Sequence, residues 1–370
     1  MLFAVSLSSP ELAELIVPHT SRLVGLTVRA TDLSLSLSRI AEHLRHPIPT
    51  LHTFCVSTDA PRLHKVEVPS SIRDAFFIHS RKLDLEGISS FHTGTRLFLG
   101  VLCKPFPHVT ELTLRTSEHG VVQIIDLLDT LGQLPMLERV LLTFTSDWYD
   151  DGALKTITLP LVQEMSIFVL ETAPYIPPVF KWIKLPKLNS LHVQSPPPTS
   201  VIIYPILPKK SFDEYLPNLT YLPEVRVTMT RRTIEVVFRN PQAAFRYVTT
   251  GEYRTYRRDR GVWGALPLHS VRRLIVDIWE PQEDTGGGWF DGLLQDLPHL
   301  EHLEFEGDCD GILKYLCHEI VQGGPHLRVQ TLIARAAREH AARDFNLDTA
   351  VARNAAPGVR DGSWLGEHKA

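Results

Sequence analysis

The stretch "LPHLEHLEF" (Leu297–Phe305) decides the fold, because close variants of it recur along the chain. The variants are "FPHVTELTL" (Phe106–Leu114), "LPMLERVLL" (Leu134–Leu142), "LPLVQEMSI" (Leu159–Ile167) and "LPKLNSLHV" (Leu185–Val193). They share the pattern P-x-L-x-x-L-x-L, in which L stands for any large apolar residue. The closing L-x-L has a period of two, so it predicts a short β-strand whose apolar side chains share one face.

The variants are regularly spaced. Aligned on the first apolar residue that follows the proline or its equivalent, the units begin at Leu23, Leu51, Val109, Leu137, Val162 and Leu188, and later at Val271, Leu300 and Leu327. Ser80 takes the equivalent position in a further unit between Leu51 and Val109. The successive differences in residue number are 28, 29, 29, 28, 25 and 26 in the first series, and 29 and 27 in the second. A period of about 20–29 residues is typical of leucine-rich repeats. Because one strand cannot bury its own apolar face, neighbouring units are predicted to stack in parallel around a continuous core.

Helical periodicity lies between the predicted strands. It predicts helices at Val121–Leu131, Trp289–Leu297, Gly311–Val321 and Ser36–Leu44. The sequence therefore predicts an α/β leucine-rich-repeat solenoid, with a curved parallel sheet on the concave side, helices on the convex side and irregular repeats of about 28 residues. A doubly wound α/β domain also alternates helix and strand, but its strands are usually continuous apolar runs, whereas these alternate with polar residues.

The repeat predicts the domain organisation. Residues 1–333 are expected to form the solenoid, and residues 334–370 a C-terminal helix followed by a disordered tail. The step from Leu188 to Leu219 is longer than any before it, and the step from Leu219 to Val271 is nearly twice the usual period. We therefore expect an irregular insertion at about 195–262, within which the phase of the repeat is undetermined.

Composition and motifs exclude several classes of protein. The 370 residues carry a net charge of −4, no apolar run approaches the ~20 residues of a membrane span, and the four cysteines form no C-x-x-C pair. An intracellular protein, cytoplasmic or nuclear, with no membrane partner is expected. No nucleotide-binding, serine-hydrolase or zinc-protease motif is present, and "EDTGGGWFDG" (Glu283–Gly292) and "EGDCDG" (Glu306–Gly311) complete neither a phosphate loop nor a calcium loop. The chain is therefore predicted to be no enzyme and to hold no cofactor or metal.

The polar residues of the predicted strands form the candidate binding surface. If the apolar residues of L-x-L point inward, the residues that alternate with them line the concave face. The partner-binding residues predicted in this way are Arg29, Lys82, Asp84, Glu111, Arg115, Arg139, Leu141, Glu164, Phe168, His192, Arg273, Asp277, His302 and Glu304. This mixed-charge surface with a few apolar side chains suits a protein target.

One segment is strongly basic. From Arg226 to Arg260 there are nine arginines against Glu235, Glu252 and Asp259, a net charge of +6. The predicted basic patch comprises Arg246, Arg254, Arg257, Arg258 and Arg260. It could bind nucleic acid, but a solvated hairpin whose arginine stems cover tyrosine rings is the favoured interpretation, because no nucleic-acid-binding motif accompanies the patch.

The repeat also carries a family resemblance. From about Glu11 to Leu327 the chain resembles the leucine-rich-repeat region of F-box-like proteins of mushroom-forming fungi, on the P-x-L-x-x-L-x-[LVF] phrase and the "HTSR" opening (His19–Arg22). The resemblance implies the substrate receptor of a cullin-type ubiquitin ligase, in which an N-terminal F-box binds an adaptor protein and the repeats hold the target.

The F-box itself is expected to be absent from this chain. "SPELAELIV" (Ser9–Val17) begins like an F-box, but the repeat follows at once. Binding of a ubiquitin-ligase adaptor would then require an F-box upstream of Met1. A leucine-rich-repeat scaffold with no link to a ligase is the alternative.

Overall fold

A computed structural model describes residues 3–7, 13–29, 50–57, 81–88, 108–116, 122–144, 148–149, 155–170, 179–195, 212–230, 233–250, 268–278, 288–307, 309, 312–313, 316 and 329–336. The chain divides into two compact units. The first unit comprises Met1–Pro196 and Lys210–Asn218, and the second comprises Pro197–Lys209 and Leu219–Ala370. The division lies near the start of the predicted insertion.

The described part of the first unit consists mainly of strands. In chain order its elements are β1 (Phe3–Leu7), α1 (Ala13–Ile16), a 3-10 helix (Val17–Arg22), β2 (Leu23–Arg29), β3 (Thr53–Ser57), β4 (Lys82–Ile88), β5 (Glu111–Thr116), β6 (Val122–Gln123), α2 (Ile124–Gly132), β7 (Arg139–Phe144), β8 (Trp148–Tyr149), β9 (Ile157–Thr158), β10 (Glu164–Val169), a 3-10 helix (Val179–Lys181), β11 (Ile183–Lys184), β12 (Ser190–Ser195), α3 (Phe212–Tyr215) and the first residues of a 3-10 helix (Pro217–Leu219). Strands β1, β2, β3, β4, β5, β7, β10 and β12 pair in that order, and every pair is parallel.

The register of this sheet confirms the repeat read from the sequence. Gly25 lies opposite Thr53, Thr53 opposite Lys82, and Lys82 opposite Glu111. The series continues through Arg139, Glu164 and Ser190. The differences between these residue numbers are the same six, in the same order, as those between the first seven units of the sequence. The stacked coils of a solenoid, each contributing one strand to a parallel sheet, are therefore present.

A repeated backbone contact joins successive coils just before each strand. The carbonyl oxygen of Arg81 accepts hydrogen bonds from the N–H groups of both Thr110 (2.8 Å) and Glu111 (3.0 Å). The carbonyl of Glu138 accepts two bonds from the next coil in the same way, and so does that of Arg272 in the second unit. The contact uses main-chain atoms only, so it tolerates the variable side chains at this position.

The proline of the repeated phrase lies in a turn. In "LPKL" the N–H of Leu188 donates to the carbonyl oxygen of Leu185 at 3.2 Å, so Pro186 occupies the second position of a four-residue turn. Proline favours that position because its ring fixes the required φ angle. Both leucines are buried while the proline is exposed. The same turn hydrogen bond joins Leu137 to Leu134 and Leu300 to Leu297. The phrase thus encodes a turn that points two leucines into the core, followed by a strand.

The segments between the strands are only partly helical. Helix α2 confirms the helix predicted at Val121–Leu131 from Ile124 onward, whereas Val122 and Gln123 form β6. The predicted helix Ser36–Leu44 lies outside the described residues. In the two shortest steps, from β7 to β10 and from β10 to β12, the described residues form the short strands β8, β9 and β11 and the 3-10 helix Val179–Lys181, and β9 pairs in parallel with β11. The described residues of these two coils contain no α-helix, whereas the step from β5 to β7 contains α2.

The second unit has a mixed sheet. Its elements are β13 (Glu224–Met229), β14 (Thr233–Arg239), β15 (Ala244–Thr250), a 3-10 helix (Leu268–Ser270), β16 (Arg273–Ile278), α4 (Gly288–Gln295), β17 (His302–Gly307) and β18 (Thr331–Ala336). Strands β13, β16, β17 and β18 are parallel neighbours, whereas β14 pairs antiparallel with both β13 and β15. Helix α4 confirms the helix predicted at Trp289–Leu297, and most of the one predicted at Gly311–Val321 lies outside the described residues.

The register of the second unit corrects two alignments. Glu224 lies opposite Arg273, so Leu222 rather than Leu219 is the counterpart of Val271. His302 lies opposite Thr331, so the last unit begins at Val329 and not at Leu327. Residues 334–336 belong to the predicted C-terminal helix, but they form the end of β18. The remainder of that predicted segment lies outside the described residues.

A side-chain contact supports the long step from β13 to β16. The hydroxyl of Ser270 accepts a hydrogen bond from the N–H of Leu222 (3.1 Å) and donates one to the carbonyl oxygen of Leu222 (3.4 Å). Replacing Ser270 with alanine is expected to lower the free energy of unfolding by about 1 kcal/mol, since both backbone groups are part-buried. Urea denaturation checks this. His269→Ala, at the exposed neighbouring position, is the control, and an equal effect of the two changes would contradict the assignment.

Candidate functional site

The strands of the first unit present one row of alternating side chains away from the core. Burial follows the predicted alternation in β5, β10 and β12, where every second residue is buried. The side chains that alternate with the buried ones on β2, β3, β4, β5, β7, β10 and β12 form a surface that we call the first-unit face. Its members include Thr27, Lys82, Asp84, Glu111, Thr113, Arg115, Arg139, Leu141, Glu164, Ser166, Phe168, Ser190, His192 and Gln194, all exposed or half-buried. The sheet register therefore brings the predicted first-unit binding residues onto a single surface, with Arg29 located in β2 and its side chain outside the described set.

Charged residues occupy the ends of the strands on the first-unit face. Lys82, Glu111, Arg139 and Glu164 stand side by side on successive strands, so the sign of the charge alternates. Arg139 donates to Glu111 at 2.6 Å, with more than half of the arginine side chain exposed. A pair this exposed contributes little to stability, so these groups remain available to a partner.

The middle of the first-unit face is less polar. Leu141 of β7, Ser166 of β10 and His192 of β12 lie directly opposite one another in the register. Phe168, two residues along β10, packs edge-on against His192 with 5.1 Å between ring centroids. Leu141 and Phe168 are half-buried, so apolar surface lies beside the charged row.

The corresponding surface of the second unit is built differently. We call the second-unit face the set Glu224, Arg226, Glu235, Arg239, Arg246, Arg273, Asp277, His302, Glu304 and Glu306. Arg273 donates to Glu224 (3.0 Å) and to Glu304 (2.7 Å), which lie on strands to either side of it. Arg226 donates to Asp277 (2.9 Å) and also pairs with Glu306, two strands away. These contacts form a network of ion pairs across β13, β16 and β17.

Two carboxylates of this network are buried. Asp277 is 6% exposed and Glu304 is 3% exposed. Both are members of the predicted partner-binding surface, but each forms an ion pair with an arginine of its own sheet. Ile275, in the same row, is buried as well. His302 remains exposed on this face. Burial of a carboxylate is tolerated here because each one has a guanidinium partner.

The two central arginines stay charged under all ordinary conditions. Burial alone would lower the pKa of Arg226, but its hydrogen bonds to Asp277 and Glu306 and the attraction of both carboxylates outweigh burial and raise the pKa. The hydrogen bond to Glu304 and the attraction of Glu224 and Glu304 likewise raise the pKa of Arg273, against the smaller effect of burial. Both arginines therefore always contribute a positive charge to the network.

The predicted basic patch is only partly within the described residues. Arg246 pairs with Glu235 at 2.6 Å, and Arg239 pairs with Glu224. Together with Arg226, three of the nine arginines in the basic segment are thus neutralised by carboxylates. The patch residues Arg254, Arg257, Arg258 and Arg260 lie outside the described residues.

No family model matches the chain, and no curated protein matches its sequence significantly.

The described residues contain no group of three His, Cys, Asp or Glu side chains arranged to hold a metal ion. Among their helices, none combines the length and apolar character needed to cross a lipid bilayer.

Proposed function

We propose that the chain is a protein-binding leucine-rich-repeat protein and that the first-unit face holds its target. The observation that carries this proposal is the continuous row of mixed polar and apolar side chains on consecutive parallel strands. Parallel stacking aligns these side chains across the seven strands β2, β3, β4, β5, β7, β10 and β12, so a partner can contact several coils at once. Aromatic, aliphatic and charged groups in one patch are the composition that protein interfaces use.

Within this proposal, the target is a substrate and the chain is the substrate-recognition part of an F-box-like ubiquitin-ligase receptor. The nearly constant steps between strands, and the L-x-x-L-x-L phrase of the repeat, support a leucine-rich repeat with its strands on the concave side. Helices on the convex side belong to the same proposal and are supported by α2 in the step from β5 to β7. The ligase role rests on the family resemblance.

Affinity purification tests the ligase role. The genomic DNA upstream of Met1 is read for an F-box, and the full-length gene product, carrying a tag, is purified from fungal cells. We expect a cullin and its adaptor protein to co-purify. The chain that begins at Met1 serves as the control and should recover its target without the cullin. Recovery of neither cullin nor adaptor by the full-length product would remove the ligase role and leave the scaffold as the function.

Nucleic-acid binding is a weaker alternative. The carboxylate partners of Arg226, Arg239 and Arg246 reduce the positive charge that the basic segment offers to phosphates. Binding through the remaining arginines would weaken steeply with increasing salt concentration. Tight RNA or DNA binding with that dependence, measured by fluorescence anisotropy, would favour this alternative over a protein target.

A further inference from the structure

One carboxylate of the first-unit face has no partner among the described residues. Glu164 lies directly opposite Arg139 in the register of β10 and β7. The guanidinium of Arg139 nevertheless pairs with Glu111, on the other side of β7, at 2.6 Å. Glu164 is exposed, and no described residue forms a hydrogen bond or ion pair with its carboxylate. An acidic group is therefore available next to a pair that is already neutral.

Apolar surface begins beside this carboxylate. Ser166, two residues further along β10, is a small residue between Leu141 and His192. Phe168 follows on the same strand and is held by its edge-on contact with His192. Successive same-face residues of a strand are about 6.6 Å apart, so Glu164 and Phe168 mark the ends of a strip about 13 Å long. Serine has the smallest side chain of the three, so a side chain of a partner that lies along the strip meets the least obstruction at Ser166.

The second-unit face lacks this combination. Each arginine there whose side chain the structure describes is paired with a carboxylate, and Asp277 and Glu304 are buried beneath such pairs. Of the two faces, the first-unit face therefore has the more accessible charged group beside apolar side chains, at the strip from Glu164 to Phe168.

We propose that this strip binds a protein segment in which a basic side chain lies close to an apolar one. The basic group pairs with Glu164, its aliphatic stem lies over Ser166 against Leu141, and the apolar side chain packs on Phe168. Lysine and arginine suit this place because they combine an apolar stem with a charged end. Charge complementarity selects a basic protein segment over nucleic acid, whose phosphates Glu164 would repel. The inference deepens the proposed function and rests on it.

Selection from a phage library of short random peptides tests the inference. The library is selected on the immobilised whole chain, on its Glu164→Lys variant and on Asp129→Asn, which removes an exposed carboxylate from helix α2 and serves as the matched control. We expect the wild-type chain and Asp129→Asn to enrich peptides with lysine or arginine close to an apolar residue. Glu164→Lys should lose that preference.

Affinities of one enriched synthetic peptide give the magnitude. By isothermal titration calorimetry we expect Glu164→Gln to weaken binding about fivefold and Glu164→Lys more than about tenfold. Phe168→Ala should weaken it about tenfold through loss of packing. Asp129→Asn should leave the affinity within about twofold of that of the wild type, since Asp129 belongs to helix α2 and not to the strip, and salt screens an exposed charge. Thermal unfolding of each variant confirms that the fold is intact.

The outcomes separate the inference from the proposed function. Enriched peptides without a basic preference, or with affinities that Glu164→Lys leaves unchanged, would overturn the inference while protein binding stands. Failure of the wild-type chain to enrich any peptide would count against protein binding by this face and against the inference with it.

Discussion

Replacing Gly307 with alanine is expected to lower the free energy of unfolding of the second unit by about 4 kcal/mol. Gly307 ends β17, opposite Ile278 of β16, and has a φ angle of +78°. A Cβ atom there would lie 2.0 Å from the carbonyl oxygen of Ile278 and 2.9 Å from its carbonyl carbon. These are backbone atoms of a paired strand, so they cannot rotate away. The left-handed φ angle adds a second penalty for any residue with a side chain.

The measurement must report on the second unit by itself. Hydrogen–deuterium exchange of backbone amides in β16 and β17 does so, because exchange follows local as well as global opening. Gly132→Ala is the matched control. Gly132 ends helix α2, and its added Cβ would lie 4.0 Å from the Cγ2 atom of Ile157, an ordinary contact. That change should alter stability by less than about 1 kcal/mol. Equal protection of β16 and β17 in the two variants would contradict the clash at Gly307.

Replacing Arg226 with alanine is expected to lower the free energy of unfolding of the second unit by about 3 kcal/mol. The change leaves Asp277, 6% exposed, without its guanidinium partner, and removes one partner of Glu306 as well. The cost comes from a buried charge that loses its partner, more than from the attraction itself. Chemical denaturation followed by amide exchange in β13 and β16 measures it.

Arg272→Ala is the control for this prediction. Arg272 pairs with Glu301 at 3.0 Å, but its side chain is 53% exposed, so its loss should cost less than about 1 kcal/mol. The double change of Arg226 and Asp277 to alanine should cost less than the sum of the two single changes, because no buried carboxylate remains. Strict additivity, or an Arg272→Ala variant as unstable as Arg226→Ala, would show that the network is not the cause.

The parallel strands of the first unit were predictable because the repeat specifies them directly. Each L-x-L phrase places two apolar residues on one face, and the proline marks the turn before the strand. Since the steps are close to constant, the neighbours of each residue follow from the sequence alone. The pairing of Arg139 with Glu111 is one such case, since the two residues are separated by a single step of the repeat.

The second unit was harder to predict because its longest step contains a hairpin. Glu224 and Arg273 lie opposite each other in the sheet, although β14 and β15 lie between them in the sequence. "LPNLTYLPEV" offers two leucines in the expected phase, and only the sheet register selects Leu222 over Leu219. The contact of Arg226 with Asp277 depends on that choice, so no pattern in the sequence could have indicated it.

The residues of the candidate site were likewise predictable only in part. Alternation within each strand correctly places Leu141, Glu164 and Phe168 on one face. It cannot distinguish an exposed position from one covered by a long neighbouring side chain, which is why Glu304 and Asp277 were expected at the surface. Their burial depends on arginines of adjacent strands.

The long step from β13 to β16 also bears on how such a chain can evolve. Strand β13 pairs directly with β16 on one side, and the intervening hairpin pairs with its opposite side. The additional residues thus form two strands on one side of β13, while the parallel pairing of β13 with β16 and of β16 with β17 continues on the other side. A molecule organised like this can acquire new surface through gene insertions at the connections between coils, without having to reinvent its core.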